Sequence, residues 1–305
     1  MGRVEDSVVQ PPHTVTWLVH IDRGMWVGGV RGLMLQALHP LPARGVWQNS
    51  NFQQDPFGRL RRTADFVGVV TFGSPEEAVA LGAKIRGIHR MLRVEDTETG
   101  RTHRVDDPEL LLWVHCAEVY SYLEIMRRGG LRLSDAQADR YLAEQRRSAT
   151  YVGLHAEDVP GSVAEMEEYF ASVRPVLRVS EEARQIMRFL LWPTMPEDLR
   201  RLAPVKPAYL PFGALCYYTL PRWARDMYGL LPEVPQPAVT AALKAFRLSL
   251  NSLPEPVHDL AFMPSTRDML ERSRRRLGAL GYDMGKGLKG LTDPRRWPHW
   301  TSRAA

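Results

Sequence analysis

With 305 residues, 44% hydrophobic and 25% charged, the chain has ordinary globular composition and ample length for one large domain or two smaller ones. Its 40 Lys plus Arg against 35 Asp plus Glu leave a net charge of +5, too small an excess to imply nucleic-acid binding. The two cysteines, Cys116 and Cys216, have no paired spacing, which excludes a disulfide framework and any cysteine-based zinc or iron–sulfur site and fits a reducing cytoplasm.

In chain order, the opening MGRVEDSVVQPPHT has no apolar core of signal-peptide length, and residues 1–12 are expected to be a flexible terminus. Asp55-Pro56 opens a helix in DPFGRLRRTADF. Ser74-Pro75-Glu76-Glu77 is a second start: an N-cap, proline at the first helical position, then acids on the positive dipole end. In VEDTETGRTHRV, Thr99-Gly100 can turn one short polar hairpin. Asp107-Pro108-Glu109 then opens the apolar run LLLWVHCAEVYSYLEIM, which Gly129-Gly130 terminates. Ser134 with Gln137 and Ser162 with Glu165 are expected to form capping boxes, and Ser180-Glu181-Glu182 starts a helix that Pro193 ends. Further helices fall within Tyr209–Tyr228, Pro237–Leu250 and Ser265–Leu280, with the proline-rich stretches Pro204–Pro211 and Pro232–Pro237 read as connections. The run Arg272–Arg276 lacks interleaved aromatics and reads as a solvated helix face. The expectation is an all-α, single-domain helical bundle over residues 13–290 with one short hairpin, followed by a tail at 291–305. No apolar run approaches the roughly 20 residues of a membrane span, so no transmembrane segment and a cytoplasmic location are expected.

Several common chemistries can be set aside. No Walker A, His-Glu-x-x-His or Gly-x-Ser-x-Gly run occurs. The Gly285–Gly290 Gly-x-Gly-x-x-Gly sits where no βαβ unit can form, and it reads as a turn-rich tail. Glu-x-x-His occurs once, at Glu255–His258, whereas a di-iron centre of that kind needs it on two facing helices, which weighs against one here.

What remains is a set of histidines in or beside apolar helices: His20, His39, His89 and His115. His39 precedes Pro40 at a helix end, where it can bond the last carbonyls. His115 lies mid-helix, where a hydrogen-bonded core imidazole is the default. In AKIRGIHRMLR, Arg86 and Arg93 stand three before and four after His89, so helical spacing puts the imidazole between two guanidinium groups. Cations beside it disfavour its protonation and leave a ring nitrogen free to accept or to ligate. In DPFGRLRRTADF, Arg59 and Thr63 share a helix face with Arg62 one step round, an arrangement that can hold an anion or polarise a bound oxygen species. The plainer alternative pairs Arg59 and Arg62 with surface acids.

Four stretches in this order, WLVHIDRGMWVGGVRGLMLQALHP, FQQDPFGRLRRTADF, KIRGIHRMLR and VDDPELLLWVHCAEVYSYL, resemble the family of the ER-bound oxygenase of mycophenolic acid biosynthesis and the rubber oxygenases. That resemblance implies an all-α domain enclosing a pocket for haem b, with O2 as co-substrate and an unsaturated hydrophobic substrate of isoprenoid or lipid-like kind. It implies His89 as the proximal iron ligand, through an Arg-x-x-His motif, and Arg59, Arg62 and Thr63 in the distal pocket. Arg62 stands where the rubber oxygenases carry a lysine, and a guanidinium, always protonated, cannot cap iron as a neutral amine can. Arg86 and Arg93 become partners for the haem propionates, and His115 a residue of the pocket wall. An electron donor is a partner this chemistry allows. The alternative is a haem-binding carrier or sensor without turnover, and a third reading is a helical interaction protein whose basic faces are only solvated surface.

Overall fold

The computed structural model describes residues 9–12, 14–50, 55–193, 205–253 and 264–279. Among these, 13 α-helices and one two-stranded antiparallel hairpin form a single helical domain. The helices are α1 Val15–His20, α2 Met25–Gln36, α3 Pro40–Asn49, α4 Pro56–Phe72 and α5 Pro75–Met91, followed by strands β1 Arg93–Asp96 and β2 Arg101–Arg104. Then come α6 Pro108–Arg128, α7 Asp135–Val152, α8 Val163–Val173, α9 Glu181–Leu191, α10 Val205–Tyr218, α11 Arg222–Tyr228, α12 Gln236–Ser252 and α13 Pro264–Ala279. None of them is long and apolar enough to cross a membrane.

The starts read from sequence operate as capping predicts. Asp55, Ser74, Asp107, Ser134 and Ser180 each accept a backbone N–H of their first turn, and Ser74 and Ser134 do so in reciprocal capping boxes with Glu77 and Gln137. Ser162 caps α8, but Glu165 turns away from its N–H to accept from Gly161 N and Arg146, so the expected box is half made. His39 is the N-cap of α3, its Nδ1 accepting from Leu41 N–H; what bonds the last carbonyl of α2 is its backbone N–H, which donates to Gln36 O at 3.2 Å, and not the imidazole. The proline-rich connection expected from Pro204 to Pro211 is helical from Val205 onward. Pro207 falls in the first turn, whose N–H groups have no intrahelical acceptor anyway, while Pro211 stands inside the helix and forgoes one bond to the preceding turn.

α2 and α6 are the central pair. They approach closely because Gly28 and Gly32 on α2 present no side chain to Tyr122, Ser121 and Glu118 on α6. A Cβ built at Gly28 would lie 3.0 Å from Tyr122 Cδ1, 3.1 Å from Tyr122 Cα and 3.2 Å from Ser121 O. Gly28→Ala is therefore expected to cost about 1–3 kcal/mol through overpacking, read as a lowered urea midpoint. Two side-chain bonds lock the pair further along, Trp113 Nε1 to Gln36 O at 3.0 Å and Gln36 Nε2 to Val114 O at 2.9 Å. Around them Met34, Leu38, Leu123, Met126, Leu142 and Met187 form the main core, and a smaller cluster of Trp17, Ile21, Phe72, Met269 and Leu277 joins α1, α4 and α13.

Val9, within the stretch expected to be flexible, is fully buried, and its N–H bonds Gly73 O at 3.0 Å. The Arg272–Arg276 run is also more than a solvated face: Arg276 donates to Phe72 O at 3.1 Å, and Arg272 and Arg276 both reach Glu77. The Gly285–Gly290 motif and the 291–305 tail lie outside the described residues.

Candidate active site

α4 carries the first part of the site. Asp55 caps it by accepting from Gly58 N–H at 2.8 Å, and Pro56 supplies the first-turn geometry. One turn in, Arg59 is held by a 2.6 Å bond from Nη1 to Ser50 Oγ. Burial, and then the charge of Arg62, pulls this guanidinium down to about 10, so it is a fixed cation at neutral pH. Thr63 is half-buried and donates to Arg59 O at 3.2 Å, leaving its oxygen lone pairs for another partner. Arg62 separates from this pair. Its side chain is 62% exposed and pairs with Asp55 at 3.4 Å, the surface pairing that the plainer alternative expects, whereas Arg59 and Thr63 are half-buried.

α5 runs back antiparallel to α4 and brings His89 near its C-terminal end. The imidazole is half-buried, its Nδ1 is buried with no hydrogen-bond partner, and the ring is pushed toward the neutral form. Desolvation is the chief cause; Asp106 opposes it and the Arg59 charge adds to it. The flanking cations expected from helical spacing are not the operative ones. Arg86 is tied to Tyr151 O at 2.8 Å on α7. Arg93 is off the helix altogether, because Leu92 turns extended and Arg93 itself starts β1, and its guanidinium folds onto Arg90 O and Leu92 O in solvent. The cation that acts on His89 comes from α4, across the helical hairpin.

α6 supplies a third group of side chains. His115 is buried, its Nε2 has no partner, and desolvation pulls it down to about 4, so it too is neutral. One turn on, Glu118 is an acid that the sequence reading passed over. Burial pushes its carboxyl up to about 7, against a 2.9 Å hydrogen bond from Tyr122 OH. Beside it, His20 on α1 bonds Thr71 Oγ1 at 2.8 Å and Tyr141 OH at 3.0 Å. Because Thr71 already donates to Val67 O at 2.7 Å, the network assigns the proton to His20 Nδ1, with Nε2 accepting from Tyr141. Burial pulls this imidazole down to about 3. His20 is thus a satisfied core histidine, while His89 and His115 each keep an unpartnered buried nitrogen.

Comparison with known proteins places the chain. It matches two uncharacterised mycobacterial proteins, one from Mycobacterium bovis and one from Mycobacterium tuberculosis, each with 25% identity over 152 residues. That alignment covers 48% of this chain and 59% of each relative, so the chain spans about three-fifths of the curated relatives it matches. A solved structure of latex clearing protein in the closed state shares the fold, with a TM-score of 0.57 and 19% identity over 87% of this chain and 73% of the other. The family model "ER-bound oxygenase mpaB/B'/Rubber oxygenase, catalytic domain" matches residues 17–278, the span that holds every side chain of the candidate site, and the chain belongs to that family.

Proposed function

We propose that the protein is a haem b-dependent oxygenase that uses O2 on an unsaturated hydrophobic substrate of isoprenoid or lipid-like kind, with His89 as the iron ligand. The observation that carries this is the neutral imidazole of His89, with a buried ring nitrogen lacking any hydrogen-bond partner, inside a helical fold of an oxygenase family. Iron ligation needs the neutral ring, and desolvation supplies it. Among the described residues no group of three or more His, Cys, Asp or Glu side chains converges to hold a metal ion. A single imidazole suits a metal that arrives with its other ligands, as porphyrin iron does. When bound, haem supplies the redox chemistry that activates O2.

The chain's own residues do the rest. Arg59, fixed by Ser50 and largely desolvated, keeps a preorganised positive charge where negative charge develops on an oxygen species. Thr63, one turn along the same helix, becomes a donor to that oxygen species only by giving up its bond to Arg59 O. Arg86, anchored on α7, is a candidate partner for a carboxylate of the cofactor through the donors it does not spend on Tyr151. His115, buried on α6, is the imidazole this reading assigns to the pocket wall.

The test is oxygen consumption by haem-loaded protein given a polyunsaturated isoprenoid or its saturated analogue. Uptake with the unsaturated compound alone is expected; haem binding without uptake on any olefin would leave the carrier or sensor reading in its place. Arg59→Leu is expected to lower turnover roughly hundredfold while haem absorbance persists, the magnitude seen when one preorganised charge-stabilising donor is removed. An unchanged rate in this variant would remove Arg59 from the site.

A further inference from the structure

His89 turns one ring nitrogen into the protein and the other toward open space. Nδ1 is buried with no partner, whereas Nε2, which makes no hydrogen bond among the described residues, is not among the buried atoms. A neutral imidazole carries a single ring proton, and the nitrogen that binds a metal must be the bare one. Ligation through Nε2 therefore needs the proton on Nδ1. Metal-bound histidines nearly always give that second N–H to a carboxylate, a backbone carbonyl or water, and here no carbonyl takes it.

The chain brings one acid to this ring. Leu92 leaves α5 with its N–H still bonded to Ile88 O and His89 O, both at 3.3 Å, and its carbonyl accepts from Val105 N–H at 3.4 Å. The hairpin thus returns to the last turn of α5, and the next residue is Asp106, whose side chain is only 16% exposed. Arg104 grips that carboxylate at both oxygens, Nε to Oδ1 at 2.8 Å and Nη2 to Oδ2 at 2.6 Å. A carboxylate has about four lone-pair sites, so the grip fixes it without exhausting it. Arg93 stands directly opposite Arg104 in the hairpin register, a like-charge pairing that is destabilising in itself. Its effect is local: both cations keep Asp106 ionised. Asp106 is the acid whose charge reaches His89, while its neighbour Asp107 is taken up in capping α6.

We propose that Asp106 is the positioning residue of His89: its carboxylate, held by Arg104, keeps the ring proton on Nδ1 and so presents a bare Nε2 to iron. The inference rests on His89 being the iron ligand. Arg59 acts on the same ring from α4 with the opposite sign, so the imidazole lies between a fixed cation and a fixed anion. That field favours one tautomer over the other without charging the ring.

The test is two-bond proton–nitrogen NMR of the full chain without haem, its histidines nitrogen-15 labelled, at neutral pH. This reads the tautomer of each ring, and His89→Gln assigns the signals of His89. Wild type is expected to hold His89 as the Nδ1–H form. Asp106→Leu and the near-isosteric Asp106→Asn are each expected to lower the ratio of Nδ1–H to Nε2–H about tenfold, the scale on which an outer carboxylate supports a metal-bound histidine. Asp106→Glu should keep most of the ratio, and Glu95→Gln, at an exposed acid of the same hairpin, should leave it as it was. An Nε2–H ring in wild type overturns the proposal. So does a ratio unmoved in both charge-removing variants, even where their urea midpoints fall, since Asp106 would then be a structural acid only. Haem titration separates this from ligation itself. Asp106→Leu is expected to bind haem about 10–100-fold more weakly than wild type, and equal affinity would overturn the proposal as well. A wild type that takes up no haem would end the ligation reading, while the tautomer ratio would still decide whether Asp106 sets the ring.

Discussion

His89→Ala, expressed with ample haem supply, is expected to yield a folded but colourless protein beside a coloured wild type. The side chain is half-buried and its Nδ1 bonds nothing, so removing it breaks no hydrogen bond seen among the described residues, and far-UV circular dichroism should be unchanged. Loss of the Soret band would then be a loss of ligation and not of fold. Added imidazole should restore part of the absorbance by entering the space the side chain vacates, a response that a merely structural histidine would not give. His115→Ala is the necessary companion. That ring is buried against the core and also has an unpartnered nitrogen, so its removal should cost stability yet leave the colour. Colour lost in His115→Ala and kept in His89→Ala would transfer the iron to α6 and undo the assignment made here.

Much of the fold was legible because the signals were local. Asp107-Pro108-Glu109 and Gly129-Gly130 bound α6 on both sides: Asp107 accepts from Glu109 N–H, and Gly130 takes the left-handed φ of +93° that lets Leu131 N–H reach Met126 O. Thr99-Gly100 likewise marks a hairpin in register, Arg93 facing Arg104 and Asp96 facing Arg101. The candidate site was legible only as a list of residues. Helical periodicity extended past Met91 put Arg93 beside His89, because nothing in RMLRVED announces that Leu92 leaves the helix. The cation that does act on His89, Arg59, lies 30 positions earlier, and only the antiparallel return of α5 along α4 brings the two together. Glu118 was hidden for the opposite reason. A lone acid in an apolar run reads as the solvated edge of a helix, and its burial depends on α2 coming close enough through Gly28 and Gly32 to wall it off.

Arg44 is where the largest loss of stability is expected. Its side chain is 3% exposed and meets three carboxylates from separate parts of the chain: Asp96 at the end of β1, Glu98 in the hairpin turn at 2.9 Å and Glu182 on α9 at 3.1 Å. Arg44 thus joins three elements, and the hairpin it holds leads into Asp106, whose charge acts on His89. Arg44→Met leaves Asp96 buried beside Glu182 with no cation, and breaking a buried pair from one side typically costs about 3–5 kcal/mol. The pH dependence follows from the acids. Thr99 and then Arg44 hold the Asp96 carboxyl below its ordinary range, and Arg44 and Arg178 do the same for Glu98. Glu182 is raised by burial but ends lowered through its helix N-terminus, Ser180 and Arg44. Groups with folded pKa values below their unfolded ones contribute stability above the unfolded carboxylate range and lose it as pH falls through the folded values. Wild type should therefore lose stability on acidification below about pH 4. Arg44→Met should start lower and fall less steeply there, since its carboxylates no longer favour the charged form. Urea midpoints of the two proteins at neutral pH and across the acid range measure this directly. Parallel curves would mean that Arg44 fills space in the core without holding the three acids ionised.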